Sequence, residues 1–276
     1  MLCRSEESIA AALEAGVRTI YADFEDIRRY ADVVSTVRDA KTGAQILLAT
    51  PRIQKAGEQG FFKLIENAGP DGVLIRNLGA IDYFAAHPNL RRVGDFSLNV
   101  ANPLTAQYLI GKGLDYLTAS YDLTAEQVLD LVQDGAPEWF ELTIHQHMPM
   151  FHMEHCVFAA FLSKGSSFLD CGRPCEKHRV HLRDRVGMEH PLRADVGCRN
   201  TLFNAVPQTG AGYFASFVSA GLRRFRVELL EENREESLKV LRAYQALVRG
   251  DQAGAVLWRS LNAQSQLGVT RGTLAD

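Results

Sequence analysis

The chain has 276 residues, of which 46% are hydrophobic and 23% are charged, and its formal charge is −3. This balance is typical of a globular protein and excludes a largely disordered chain or a uniformly basic nucleic-acid binder. No run approaches the roughly 18 consecutive apolar residues of a membrane-spanning helix. The first residues also lack the charged and apolar regions of a secretion signal. We therefore expect a cytoplasmic protein that is not bound to a membrane.

Short β-rich runs alternate with helical patterns about every 25 residues along the chain. The eight predicted strands are 1–3, 19–24, 45–50, 72–76, 94–99, 116–121, 140–145 and 223–230. Ser5 is placed to cap the first helix, which Gly16 ends, and Thr124 begins a capping box for the helix after strand six. A long helix is predicted over 231–248, where good helix formers predominate.

Strands that alternate with helices form right-handed βαβ units and a parallel sheet. We therefore predict an α/β fold, a (β/α)8 TIM-barrel-like domain over residues 1–250 with a C-terminal tail over 251–276. An open doubly wound sheet is the alternative, but no GxGxxG motif follows the first strand.

The connection between strands seven and eight, about residues 146–222, is too long for one helix and its loops. This Cys/His/Arg-rich insertion holds four of the five cysteines, and seven of the eight histidines lie within 145–190. Long insertions in a regular scaffold commonly carry function.

Polar residues follow nearly every predicted strand, and in a barrel these strand ends meet at one mouth. We predict a polar substrate cavity there. The candidate substrate-binding residues are Arg52, Arg76, Asn77 and Asn99, and the candidate proton-transfer residues are His145, His147 and Glu228.

Two histidine pairs have spacings that suit a shared face. His145 and His147 are two residues apart, so both should leave the same face of strand seven if the strand continues that far. There they could bind a metal ion, or they could simply be two hydrogen-bonded histidines at the end of a strand. His152 and His155 are three apart and are predicted on one face of a helix that begins near Met153.

The four insertion cysteines, Cys156, Cys171, Cys175 and Cys198, are the strongest chemical signal in the sequence. The inner pair flanks a CGRPC turn, in which glycine and proline favour a tight bend that points two thiolates at one centre. Four thiolates satisfy either an iron–sulfur cluster or a structural zinc ion, and their spacing alone does not decide between them. A catalytic Cys–His pair and four unrelated core cysteines are the alternatives.

Positive charge predominates around these cysteines. Between residues 171 and 199 seven lysines and arginines, Arg173 and Arg199 among them, face four acidic residues. Arginine is the residue that best matches phosphate and carboxylate groups, so an anionic substrate or an RNA backbone fits this segment, and so does ordinary solvated charge.

Four segments of the insertion resemble the signature region of peptidase family U-32, the collagenase-like proteins. They are EHCVFAA (154–160), CGRPCE (171–176), LRDR (182–185) and ADVGCRNT (194–201), and the resemblance continues upstream through ATPRI (49–53), LIRN (74–77) and GDFSLN (94–99). It covers essentially the whole chain. It is greatest to the barrel portion of the longer members, which implies a neighbouring domain missing from this chain.

The family's name records an early protease assignment, but several members are implicated in oxygen-independent hydroxylation of ribosomal or transfer RNA bases or of a quinone precursor, with a [4Fe–4S] cluster on four cysteines. The resemblance implies Cys156, Cys171, Cys175 and Cys198 as ligands here. The common signature has a second cysteine seven residues after the first, where this chain has Ser163. The chain must therefore use both cysteines of the CGRPC turn or recruit Cys3.

The resemblance and the basic insertion together lead us to expect an iron–sulfur enzyme that hydroxylates a base of ribosomal or transfer RNA, with an electron donor that the sequence does not identify. One alternative is a collagenase-like peptidase that uses a metal or a thiol. The other is an RNA-binding module without activity, in which the cysteines hold structural zinc.

Overall fold

Eight parallel strands form a closed barrel in the computed structural model, which describes residues 1–165 and 169–265. The first seven pair in chain order: β1 (Leu2–Cys3), β2 (Thr19–Ala22), β3 (Gln45–Ala49), β4 (Gly72–Ile75), β5 (Arg91–Gly94), β6 (Tyr116–Thr118) and β7 (Phe140–Gln146). The eighth, β13 (Arg224–Val227), pairs in parallel with β7. Glu228, the residue after β13, then bridges Leu2 of β1 and completes the ring. The predicted TIM-barrel-like α/β fold is confirmed.

Helices follow the barrel strands and cover the outside of the ring. They are α1 (Glu6–Glu14), α2 (Tyr30–Asp39), α3 (Gly60–Asn67), α4 (Leu78–Ala85), α5 (Pro103–Gly111), α6 (Ala125–Asp134) and, after β13, α9 (Arg234–Arg249). Ser5 and Thr124 cap α1 and α6 in capping boxes, as predicted. The last long helix begins three residues later than predicted, because the Asn233 side chain accepts a hydrogen bond from Glu236 N and fixes the start there.

The hydrophobic core has two layers because successive residues of each strand point to opposite faces. In β3, Leu47 and Ala49 belong to a small cluster inside the ring, whereas Ile46 and Leu48 belong to the large cluster between strands and helices. Tyr21 and Tyr116 complete the inner cluster with other strand residues. The apolar part of the interior is therefore small, which leaves room for polar groups at the mouth.

The fifth strand lies earlier in the chain than predicted. It covers Arg91–Gly94, with Arg91 paired to Gly72 of β4, and a 3-10 turn follows over Phe96–Leu98. The prediction of a strand over 94–99 was wrong because Arg91 and Arg92 made the true start of the strand look like a loop.

The insertion forms a second sheet, which is antiparallel and has four strands. They are β8 (Pro149–Met153), β9 (Val180–Arg183), β10 (Glu189–Asp195) and β11 (Arg199–Phe203), in the spatial order β8-β11-β10-β9. The predicted helix near Met153 is wrong, because residues 149–153 pair with β11. His152 therefore lies on a strand and does not share a helix face with His155. Helix α7 (Val157–Leu162) begins after Cys156, whose Sγ accepts a hydrogen bond from Ala159 N at 3.4 Å.

After the insertion the chain returns to the barrel through β12 (Gln208–Thr209), antiparallel to β7, and α8 (Phe214–Ser219). The segment predicted as a tail contains α10 (Gly254–Ser260) and β14 (Gln264–Ser265), which pairs with β12, and Leu257 of α10 is fully buried. Within the described residues no helix is long and apolar enough to cross a membrane.

Candidate functional site

A cavity of about 640 Å³ lies between the mouth of the barrel and the insertion. The ends of β1 and β2 supply Arg4 and Asp23, the CGRPC turn supplies Cys175, and β10 supplies Arg193 and Asp195. Seven lysines and arginines line it against five acidic residues: Arg4, Arg29, Arg52, Arg173, Lys177, Arg179 and Arg193 against Asp23, Glu25, Asp26, Glu176 and Asp195. The cavity walls thus carry an excess of positive charge.

Ion pairs fill the interior of the barrel next to this cavity. Arg76 donates to both oxygens of Asp23, at 2.6 and 2.9 Å, and to Asp95 Oδ2 at 2.8 Å. Burial would raise the pKa of Asp23, but Arg76 and Arg4 outweigh it and hold that pKa below its ordinary value. Arg226 adds contacts of 2.9 Å to Asp95 and 3.1 Å to Glu141. The carboxylates of this network are therefore engaged with arginines.

Two of the predicted site residues belong to this network and do not line the cavity. The guanidinium of Arg76 is only 2% exposed and is bound to two carboxylates. Glu228 accepts from Arg4 Nη2 at 3.2 Å with one oxygen and from the Tyr121 hydroxyl with the other. Both residues hold Arg4 and Asp23 in place beneath the cavity.

Asn77 and Asn99 have structural positions outside the cavity. The Asn77 side chain caps α4 by accepting from Ala80 N, and its amide donates to the Pro51 carbonyl, each at 2.8 Å. Asn99 is exposed and has a left-handed backbone with φ of 54° at the end of the 3-10 turn. An asparagine at the end of a barrel strand often serves as a cap, and the sequence offered no means of telling the two roles apart.

A β-bulge precedes His145 on β7, and His147 lies beyond the end of the strand at Gln146. The pairing of β7 with β13 shifts between Arg226 and Val227, so His145 turns towards α9 and its Nδ1 lies 3.1 Å from the Tyr244 hydroxyl. Burial, with a smaller contribution from His147, lowers the pKa of His145 to about 3. His147 Nδ1 instead lies 2.8 Å from the Asn204 carbonyl. The two therefore contact different groups, contrary to the predicted shared face, and neither lines the cavity.

Arg199 connects the insertion to the barrel. Its Nε donates to Glu154 at 2.7 Å and its Nη2 to Glu58, in the loop before α3, at 3.1 Å. Its side chain is 2% exposed and does not line the cavity. Of the predicted substrate-binding residues, the structure places Arg52 and Arg173 in the cavity wall.

Of the four insertion cysteines, Cys175 lines the cavity, and Cys156 is near enough to influence the thiols of both Cys175 and Cys198. Burial raises the pKa of the Cys198 thiol, and the neighbouring Cys156 and Cys171 raise it further. Burial, a hydrogen bond to Glu25 and the charge of Cys156 raise the pKa of Cys175 to about 12. In the described part of the chain, no three His, Cys, Asp or Glu side chains are yet spaced to hold a metal ion. Metal binding therefore requires the cysteine loops to draw closer together.

Cys3 is not part of this group. It is fully buried in the layer between strands and helices, beside Ser8 of α1, and burial raises the pKa of its thiol to about 11. The expectation that it replaces one of the four ligands has no support in its position.

Sequence reasoning missed a row of polar residues that crosses the insertion sheet. Thr201 of β11 pairs with His152 of β8 on one side and with Arg193 of β10 on the other, so the three side chains share a face. His152 Nδ1 lies 2.9 Å from Thr201 Oγ1 and 3.8 Å from Asp195 Oδ2. Burial and the charge of Arg52 lower the pKa of His152. The row was not visible beforehand because it depends on strand pairing.

No model of a known protein family matches the sequence, and no curated protein matches it. Among solved structures, one described as a U32 peptidase matches 53% of this chain and 68% of its own chain, with 14% identity and a TM-score of 0.44. An uncharacterized protein of B. cereus matches 85% of this chain and 59% of its own, with 11% identity and a TM-score of 0.34. Structural similarities at this low level of identity carry no information about the activity of this chain.

Proposed function

We propose that the chain is an iron–sulfur enzyme that modifies RNA at the mouth of the barrel, by oxygen-independent hydroxylation of a base. One observation supports the proposal: Cys175 lines a cavity whose walls are rich in positive charge, and Cys156 lies near enough for its charge to act on the thiols of both Cys175 and Cys198. Cysteine thiolates can bind an iron–sulfur cluster, and positively charged walls can bind an anionic polymer such as RNA.

The donor set fits a cluster in its chemistry. Cys156, Cys171, Cys175 and Cys198 all have free thiols. Burial raises the pKa of Cys175 and of Cys198, and the charges of neighbouring thiols and of Glu25 raise both pKa values further. Thiolates that repel one another are stabilised by a shared cation, and metal binding deprotonates them. These four residues would hold a [4Fe–4S] cluster. Hydroxylation removes two electrons from the base, and the cluster would accept these electrons or activate an oxygen donor that is reduced in their place.

The remaining walls suit an RNA substrate. A cavity of about 640 Å³ lies within the usual range of small-ligand sites and accommodates a base that has left its stack. Arg173, Lys177 and Arg179 stand on the loop that carries Cys175 and contribute positive charge to the cavity wall. They would bind the phosphate backbone, while Arg4 and Asp23, fixed by the interior ion pairs, form a rigid floor.

The collagenase-like peptidase has one supporting feature, the contact of His152 with Thr201 in the cavity wall. In a catalytic triad the acid and the nucleophile approach opposite nitrogens of the imidazole, whereas here Asp195 and Thr201 both approach Nδ1. The raised pKa of Cys175 also disfavours a thiol nucleophile, because the thiolate is the reactive form. We therefore favour RNA modification.

The test is anaerobic purification of the full chain, followed by absorption and EPR spectra and assays of iron, sulfide and zinc. We expect about four irons per chain, the content of a [4Fe–4S] cluster, lost in Cys171→Ser but retained in Cys3→Ala, the matched control. An intact cluster in Cys171→Ser would contradict the ligand assignment. Zinc without iron would favour the RNA-binding module, and protein with neither metal would overturn the proposal.

Activity is tested by mass spectrometry of nucleosides from ribosomal and transfer RNA, in cells with and without the gene for this chain. We expect one nucleoside to gain the mass of a single oxygen atom only when the wild-type protein is present, and not with Cys171→Ser. Unchanged RNA alongside digestion of gelatin by iron-free protein would favour the peptidase.

A further inference from the structure

The buried and partly buried arginines discussed above fall into two classes. Those of the first class donate to at least one carboxylate within 3.2 Å: Arg4, Arg76, Arg199 and Arg226. Burial lowers the pKa of each, but the neighbouring carboxylates outweigh it and raise that pKa above its ordinary value. Their charges are compensated within the protein.

Arg52 belongs to the second class. Across residues 1–165 and 169–265 no carboxylate lies within ion-pair distance of its guanidinium, and its Nε is buried without a hydrogen-bond partner. The guanidinium is held instead over the ring of Phe96, 4.6 Å from the centroid, and Phe96 stacks on Tyr121 at 3.9 Å. Stacking fixes the position of Arg52 without engaging its hydrogen-bond donors.

Arg193 resembles Arg52. Its contact with a carboxylate is 3.8 Å long, from Nη1 to Glu231 Oε1, which is beyond hydrogen-bond distance. Burial lowers the pKa of Arg193, as it lowers that of Arg52. Both residues line the 640 Å³ cavity. Arg193 is 30% exposed and has only this long contact with Glu231, whereas Arg52 has no ion-pair partner among the described residues, so an anion in the cavity would stabilise the charge of each.

We propose that Arg52 and Arg193 bind a phosphate group of the substrate in this cavity. The choice of phosphate rests on the proposed RNA function, and either a backbone phosphate or that of a free nucleotide has the required chemistry. The planar guanidinium donates two parallel hydrogen bonds to phosphate oxygens. Thr201, paired with Arg193 across the sheet, adds a hydroxyl to the same wall.

The test is calorimetric titration of the full, anaerobically purified chain with inorganic phosphate. We expect about tenfold weaker binding in Arg52→Gln and in Arg193→Gln, since one charge-assisted hydrogen bond contributes about 1.5–3 kcal/mol. Arg249→Gln, an exposed arginine paired with Asp251, is the matched control and should bind phosphate as the wild type does. No phosphate binding by the wild type, or binding by both cavity variants as tight as that of the wild type, would overturn the assignment.

Thermal unfolding separates a binding role from a structural one. Because Arg52 lacks a carboxylate partner, Arg52→Gln should unfold at the same temperature as the wild type or a higher one when phosphate is absent. Phosphate should raise the unfolding temperature of the wild type more than that of the variant, because the variant binds it more weakly. A variant that is less stable without phosphate, yet stabilised by it as much as the wild type is, would show that Arg52 is structural.

The source of the phosphate is identified by competition. A short oligoribonucleotide without terminal phosphates should displace inorganic phosphate if a backbone group occupies the site, whereas displacement by a nucleoside monophosphate alone indicates a free nucleotide. The two proposals fail separately, because phosphate binding does not require iron. Iron-free protein that binds phosphate through Arg52 and Arg193 would leave this inference standing while the iron–sulfur function fell.

Discussion

Seven acidic and basic side chains share the interior of this barrel, where apolar residues usually fill the space. Asp23, Asp95, Glu141 and Glu228 receive hydrogen bonds or ion pairs from Arg4, Arg76 and Arg226. Each arginine contacts at least two carboxylates, so removing one arginine takes a partner from at least two buried charges. The network therefore resists substitution of its central members.

Arg76→Gln should lower the free energy of unfolding by about 3–5 kcal/mol, the usual result of breaking a buried ion pair on one side. Chemical denaturation of the two proteins measures the difference. Arg249→Gln, on the exposed surface, should change it by less than about 0.5 kcal/mol. A similarly small effect of Arg76→Gln would mean that the network contributes little to stability.

His145 predicts a dependence of stability on pH. Its pKa is about 3 in the folded protein against 6.5 for an ordinary histidine, because burial disfavours the charged ring. A depressed folded pKa means that the contribution to stability is present above pH 6.5 and is lost as the pH falls towards 3. At pH 5 the loss should be about 2 kcal/mol.

Denaturation of His145→Gln at pH 7 and pH 5 isolates this effect. The variant should lose less stability over that interval than the wild type, whereas His155→Gln, on the exposed surface, should behave as the wild type does. An unchanged pH dependence in His145→Gln would assign the effect to another group.

At the scale of elements, the barrel could be predicted because its strands are short apolar runs with polar ends. Ile46–Ala49 and Val73–Ile75 are nearly continuous buried segments, as parallel strands require. The insertion sheet was missed because its strands are largely exposed on one face, and prolines in β8 and β10 suggested loops. The bulge that turns His145 outwards depends on pairing with β13, which no local pattern shows.

The start of α9 shows whether a capping side chain or tertiary packing determines where a helix begins. Asn233→Ala should cost about 1 kcal/mol, because Glu236 N loses its acceptor. Glu235→Ala in the same turn should cost only a few tenths, since it removes only a favourable charge near the helix N-terminus. Thermal or chemical denaturation measures both, and equal effects would show that tertiary packing fixes the helix start.

On the scale of the whole molecule, the candidate site depends on how the insertion is held over the barrel. Arg199 joins β11 to Glu58 of the barrel, and the Lys55 ammonium also contacts Glu154. On the far side, His181 and Arg193 approach Glu231, at 3.0 and 3.8 Å. These contacts hold the insertion over the barrel on both sides of the cavity. The sequence indicated the cysteines but could not indicate this docking, since the partners lie up to 141 residues apart.

Arg199→Gln should loosen the insertion while the barrel stays folded. We expect amide hydrogen exchange in β8 and β11 to become about tenfold faster or more, because Glu154 and Glu58 lose the buried arginine that joins them. Exchange in β3 and β4 should not change. Faster exchange throughout the chain would mean instead that insertion and barrel open together.

The ring closes where Glu228 meets Leu2, and Leu229 N donates to the Leu2 carbonyl at 3.2 Å. On the ribosome, the strand at one edge of the sheet must therefore wait for a neighbour translated more than two hundred residues later. Chains emerge at about 5–20 residues per second, so that edge stays open for roughly ten seconds or longer. An exposed edge is a site for pairing with other nascent chains, and the very short β1 limits how much of it is available during synthesis.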